Sequence, residues 1–401
     1  VFEVAELGHK VSKEEYRQRV PTLRTQLLDL QYDLRQADFP VIVLISGVDG
    51  AGKGEMLNLL NEWLDARYVR SDAFGLATDE ERERPRFWRF WRALPAKGSM
   101  ALYVGSWYSG PLARRVHDED SAEEMDQALA RINKFERALV NDGALIIKVW
   151  LHLSKAGQKE RLHKLEQNPD TRWRVSKQDR KHLKLYDKFR PIAEHVLRVS
   201  STGEAPWTIV EGSDARYRNL TVGQLIHDRL QERLAQQSKA APAAEFRPLK
   251  PSISGAPVTL LNTLDLSLAL PKAEYKHQLE QHQGRLNGLA RKAGHKGVST
   301  VVVLEGWDAA GKGGVIRRII PALDARFYHV IPIAAPSEEE RAHHYLWRFW
   351  RHVSRAGHIT IYDRSWYGRV LVERIEGLAN EDEWLRAYSE INDFESQLVE
   401  H

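Results

Sequence analysis

The chain has 401 residues, 42% hydrophobic and 28% charged, enough for two globular domains with cores of their own. It contains no cysteine, which excludes disulfides and thiolate metal sites and favours a cytoplasmic setting over a secreted one. A formal net charge of +4 suits an anionic ligand but is too mild to imply nucleic acid, and no apolar run is long enough to span a bilayer.

The first strong signal is PVIVLISG at 40–47, a continuous apolar run ending in glycine. Such runs read as parallel strands buried on both faces. It feeds a glycine loop, SGVDGAGKGE at 46–55, and then a helical pattern. Further strands are predicted at 100–104, 144–153 and 208–212, with a long helix over 121–140. A very basic helical stretch at 154–199 reads as a lid over phosphates or, equally, as a solvated helix face. The segment 238–257, rich in Pro, Ala and Ser, reads as a linker. The sequence then starts again: strand STVVVLEG at 299–306, loop EGWDAAGKGG at 305–314, a helical pattern, and strand HITIYD at 358–363. Alternating strands and helices predict an α/β fold with a parallel sheet flanked by helices.

The restart is a duplication. Lys53 matches Lys312, an offset of 312 − 53 = 259, and Asp49 matches Asp308 at the same offset. So do LDAR (64–67 and 323–326), WRFWR (88–92 and 347–351), SWY (106–108 and 365–367) and INKFE/INDFE (132–136 and 391–395). A period this long implies two whole domains, 1–237 (copy one) and 258–401 (copy two). By the same register His401 matches Asp142, so copy two is expected to lack about its last hundred residues, including its lid and closing strands.

Both loops resemble the phosphate-binding pattern G-x-x-x-x-G-K-[ST], but with departures. In copy two Gly306, Gly311 and Lys312 fit, and Gly313 stands where a Ser or Thr should hold Mg²⁺. Backbone N–H groups of Gly311, Gly313 and Gly314 at a helix N-terminus form an anion cradle, and Lys312 adds a point charge. Asp308 adds a carboxylate among the expected phosphates. That is tolerable where a cation lies between, which makes Asp308 a candidate ligand for Mg²⁺, or Mn²⁺ in its place. Asp363, at the end of the next strand, is the second candidate, and Arg364 beside it suits charge on a transferring phosphoryl group. Copy one has Val104, Gly105 and Glu55 where copy two has Asp363, Arg364 and Gly314, so copy one is expected to be catalytically inactive.

GWDAAGKGG, WRFWR and YDRSWYGRVLVERI resemble the polyphosphate kinase 2 family, and in copy one WRVSKQDRKHLKLYDKF and PWTIVEGSDARYRNL are similar to its lid and last-strand segments. The resemblance covers both copies. It implies tandem P-loop kinase-like domains similar to thymidylate kinase, and, for the tandem class, phosphorylation of a nucleoside monophosphate, AMP to ADP, from inorganic polyphosphate with Mg²⁺. It also implies catalysis by copy two, through Asp308, Lys312, Asp363 and Arg364. Arg317, Arg318, Arg348 and Arg351 are candidates to line the anion path, or equally helix-face charges. Glu373 and Glu395 read rather as helix charges, and the tryptophans of WRFWR as core. Two alternatives stay open: an ATP-dependent nucleotide kinase on the same fold, against which Gly313 argues, and a non-catalytic polyanion-binding scaffold, which would not need the two aspartates. A homo-oligomer is compatible with all three.

Overall fold

The structure, a computed structural model, describes residues 1–239 and 260–401. The apolar run of copy one forms β1 (Val41–Gly47), whose first five side chains are wholly buried. It sits at the centre of a five-stranded, all-parallel sheet. The order is β2 (Val69–Ala73), β3 (Met100–Val104), β1, β4 (Leu145–His152) and β5 (Trp207–Glu211). Strands wound outward from β1 in both directions make the carboxyl end of β1 a topological switch point, the usual ligand crevice of such sheets. Copy two repeats half of this arrangement: β6 (Thr300–Leu304), β7 (Tyr328–Pro332) and β8 (Ile359–Asp363) pair in parallel in the order β6, β8, β7. This is the α/β fold that the alternating pattern predicts. The edge strands β2 and β7 escape the sequence reading because their short, polar, partly exposed sequences, VRSDA and YHVIP, lack an apolar run.

The predicted helix 121–140 is observed as Ala122–Asn141, started by a capping box between Ser121 and Glu124. The basic stretch forms helices Lys155–Gln167, Lys177–Lys184 and Tyr186–Ser200. Of the predicted linker 238–257, residues 240–257 lie outside the described residues, and its first two instead end the helix Ala215–Lys239. No helix among the described residues is long and apolar enough to cross a membrane.

The tryptophan motifs are core, as expected. Trp88, Phe90 and Trp91 in copy one and Trp347, Phe349 and Trp350 in copy two are all buried. Glu395 is not the simple helix charge it resembles in sequence. It accepts hydrogen bonds from the Trp366 indole (2.8 Å) and the Tyr367 hydroxyl (2.6 Å). Copy one makes the same knot: Glu136 accepts from Trp107 (2.8 Å) and Tyr108 (2.7 Å). There Lys148, also buried, closes the network by donating to Glu136 (2.7 Å) and to the Ser200 carbonyl (2.6 Å). Burial pulls the Lys148 pKa down, against the opposing pull of Glu136. Glu373, by contrast, is a helix charge, paired with Arg369 four residues before it at 3.1 Å.

The described residues fall into two compact units, each taking a short segment from the other copy. The first gathers Val1–Ala77, the stretch from Arg89 through the helix ending at Lys239, and Glu338–His344. The second gathers Thr78–Trp88, residues 260–337 and Tyr345–His401. Within the second, Arg355 donates to Glu83 (2.9 Å) and the Ala356 amide to the Glu83 carbonyl (3.0 Å).

Glu136→Ala would leave the Lys148 ammonium buried beside an emptied knot, and is expected to lower stability by about 3–5 kcal/mol. Urea unfolding followed by tryptophan fluorescence checks this, with Glu136→Gln losing less. A loss below about 1 kcal/mol, the scale of an exposed ion pair, would show that the lysine does not depend on this carboxylate.

Candidate active site

In copy two, β6 delivers the chain into the loop 305–311 and then into helix Lys312–Ile319. Gly311 caps this helix at φ 100°, a left-handed conformation that glycine adopts without steric cost. A Cβ added at Gly311 or Gly313 would meet nothing within 4 Å, so the space a side chain would fill there is open. The missing hydroxyl at 313 is therefore not imposed by crowding. Lys312 folds back over the loop and donates to the carbonyls of Gly306 (2.8 Å) and Trp307 (2.9 Å).

The acid and the arginine arrive on the neighbouring strand. Asp363 ends β8 directly across from Leu304, the last residue of β6, and is half-buried. The Arg364 amide donates to the Leu304 carbonyl (3.0 Å), and its guanidinium reaches across to pair with the Asp308 carboxylate. The structure thus brings Asp308 and Arg364 into contact and sets Asp363 beside the start of the loop. Arg364 does so from φ 65°, where copy one has Gly105 at φ 74°. A non-glycine residue held left-handed is a local strain of the kind that collects at functional sites.

A third acid escapes the sequence reading. Glu305 accepts a 2.6 Å hydrogen bond from Ser365. Its signal is the contrast with copy one, which has Ser46 at the matching position. Among the described residues no group of three or more His, Asp or Glu is arranged to hold a metal. The donor set fits a hard cation that takes most of its ligands from phosphates and water, since Asp308, 89% exposed, and Asp363 offer one carboxylate each.

The arginine candidates divide. Arg318 donates to the Gly314 carbonyl (2.7 Å) and to the Tyr275 hydroxyl, bracing the first turn of its helix. Arg348 is buried and donates to the Ala334 carbonyl (2.8 Å). Arg89 in copy one makes the matching bond to the Gly75 carbonyl (3.2 Å), so that tie belongs to the scaffold. Arg351 lies over the Trp347 ring at 4.6 Å, and Arg317 is exposed on the loop's helix.

Copy one keeps the loop and loses the acid–arginine strand end. Lys53 donates to the carbonyls of Gly47 (2.9 Å) and Val48 (3.1 Å) and to Asp49 (3.1 Å). Asp49 in turn pairs with His182 on the helix Lys177–Lys184. Burial works against the Asp49 charge, but His182 and Lys53 outweigh it and hold the carboxyl well below its ordinary 3.8. The hydrogen bond to Asp49 raises His182 above its ordinary 6.5, against partial burial. A Cβ on Gly105 would lie 2.5 Å from the Phe74 carbonyl oxygen, so no side chain fits where copy two has its arginine.

A glycine loop at the carboxyl end of a parallel strand, a lysine folded over it and an acid–arginine pair on the neighbouring strand define a phosphotransferase of the P-loop kinase type. The chain belongs to the polyphosphate kinase 2 (PPK2) family, whose profile matches residues 10–238 and 269–401. It is 51% identical over 402 residues to the polyphosphate:AMP phosphotransferase of Pseudomonas aeruginosa, covering 100% of this chain and 81% of that protein. The polyphosphate:AMP phosphotransferase of Acinetobacter johnsonii is 35% identical over 89% of this chain and 71% of its own length. A crystal structure from P. aeruginosa PA01 assigned to polyphosphate kinase 2 superposes with a TM-score of 0.86 at 49% identity, over 100% of this chain and 79% of that one.

Arg364→Gly is expected to raise stability by about 1 kcal/mol, because relief of the left-handed strain exceeds the loss of an exposed ion pair. A fall of the same size in denaturant unfolding would show the reverse balance. The Asp49–His182 pair gives a pH test. The His182 contribution is fully present below its ordinary 6.5 and fades as pH rises through its raised value; the Asp49 contribution is present above 3.8 and fades as pH falls through its depressed value. Amide exchange in helix Lys177–Lys184, corrected for intrinsic rates, should therefore show less protection at alkaline pH than at weakly acid pH. His182→Ala should remove that difference.

Proposed function

We propose that the chain transfers the terminal phosphoryl group of inorganic polyphosphate to AMP, forming ADP and a polyphosphate shorter by one unit, and that copy two performs the reaction. The carrying observation is the contrast at one strand end: Asp363 and a strained Arg364 in copy two, Val104 and Gly105 in copy one. The names of the relatives over the full chain support the donor and acceptor. An oxygen of the AMP phosphate forms the new bond to phosphorus as the bond to the bridging oxygen of polyphosphate breaks. That oxygen is already nucleophilic, so positioning and charge stabilisation account for most of the catalysis. The amides of Gly311, Gly313 and Gly314 would cradle the donor phosphates. Lys312 spends two of its three N–H donors on loop carbonyls, leaving the third for a phosphate oxygen. Arg364 would leave Asp308 for the transferring group. Asp308 and Asp363 would hold Mg²⁺, which neutralises phosphate charge when bound. Copy one, in this reading, is silent. The cysteine-free composition and these metabolites suit the cytoplasm.

ADP formation from AMP, long-chain polyphosphate and Mg²⁺ tests the reading. Asp363→Ala is expected to lower kcat/KM by about 10²–10³-fold, the loss typical of removing a charge-stabilising group. Chelation of divalent cations should abolish turnover, and Asp49→Asn in copy one should leave it unchanged. Turnover with ATP as donor but none with polyphosphate would identify an ordinary nucleotide kinase instead.

A further inference from the structure

Beside the loop of copy one two arginines already hold an anion, and the chain itself supplies it. Glu55 stands in the first turn of helix Lys53–Trp63, where copy two has Gly314 (55 + 259 = 314). One carboxylate oxygen accepts from Arg161 at 2.6 Å and the other from Arg218 at 3.2 Å. The two guanidinium groups come from different elements, helix Lys155–Gln167 after β4 and helix Ala215–Lys239 after β5. Arg218 is 3% exposed and also donates to the Ala51 carbonyl within the loop (3.1 Å). It lies so close that a Cβ on Gly52 would be 1.7 Å from its Nη1.

Two converging guanidinium groups beside the amides of a glycine loop are the elements of a phosphate site, and a carboxylate offers arginine the same bidentate geometry as a phosphate. A surface ion-pair cluster would not require an arginine buried against the loop's own glycine. The charges are unequal as well: a single negative carboxylate meets two positive guanidinium groups, a balance that a phosphate group completes better. Glu55 competes as a tethered group, and so at high effective concentration.

We infer that copy one retains a latent oligophosphate site, in which the Glu55 carboxylate stands in for a phosphoryl group and excludes the free ligand. This rests on the reading of copy one as the silent half and adds what silences its loop. In copy two the matching position is glycine and the loop is open.

Tripolyphosphate binding by titration calorimetry tests it, on the whole chain carrying Lys312→Ala to weaken the loop of copy two. Adding Glu55→Gly is expected to tighten binding on the order of tenfold to a hundredfold, the scale of one charge-assisted hydrogen bond gained or lost. Glu55→Gln, which keeps the shape and loses the charge, should give a smaller gain in the same direction and serves if the glycine variant fails to fold. Adding Arg218→Met should cancel the gain. No gain in either Glu55 variant, or a gain that survives Arg218→Met, overturns the proposal. Binding is read without AMP or turnover, whereas the activity reading fails only in the assay of ADP formation, so the two fail separately.

Discussion

One carboxylate in each copy ties down the turn that leaves the sheet. Glu395 takes the indole of Trp366 and the hydroxyl of Tyr367, and so pins the chain just after β8. Asp363 and Arg364 immediately precede that pin, and the direction of the strand end follows from it. The acceptor is worth most where the donors are buried, because an unmade hydrogen bond there has no water to replace it. Glu136 does the same in copy one, with Lys148 added beneath it. The knot is shared scaffold, since it recurs in copy one, which has Val104 and Gly105 in place of Asp363 and Arg364.

Set against a shared scaffold, the two copies differ in charge placement more than in shape. Copy two leaves open space beside Gly311 and Gly313, gives Asp308 an exposed partner in Arg364, and ends β8 in an acid. Copy one answers each loop charge from within: Lys53 with Asp49, Asp49 with His182, and two arginines with Glu55. An arrangement in which each ion has an internal partner is stable, but it has little left over for a ligand. The backbone shows the same divergence. Arg364 occupies a left-handed position that the matching Gly105 fills without strain, and Gly105 sits too close to Phe74 to bear any side chain.

Much of this was legible in the sequence. Buried parallel strands announce themselves as apolar runs, which is why β1, β3, β4, β5, β6 and β8 were readable and the polar edges β2 and β7 were not. The duplication exposed the loop, the acid and the arginine, because each stands out against its counterpart. What it hid were long-range partners. Glu55 meets Arg161 and Arg218 across 106 and 163 residues, a distance at which no spacing rule operates. Glu395 looked like a solvated charge because glutamate on a helix usually is one. Its recurrence in INKFE and INDFE, one in each copy, was the available clue. Arg348, equally an anion-path or a helix-face charge in the sequence, has a partner that no motif announces, the Ala334 carbonyl.

The exchange of short segments between the two halves has a bearing on descent. Residues 78–88 are encoded in copy one but belong to the second unit, and residues 338–344 are encoded in copy two but belong to the first. Deleting the copy one gene segment would remove part of the fold that houses Asp308 and Asp363. The two copies are thus tied together as architecture, and their divergence is written at Val104, Gly105 and Glu55.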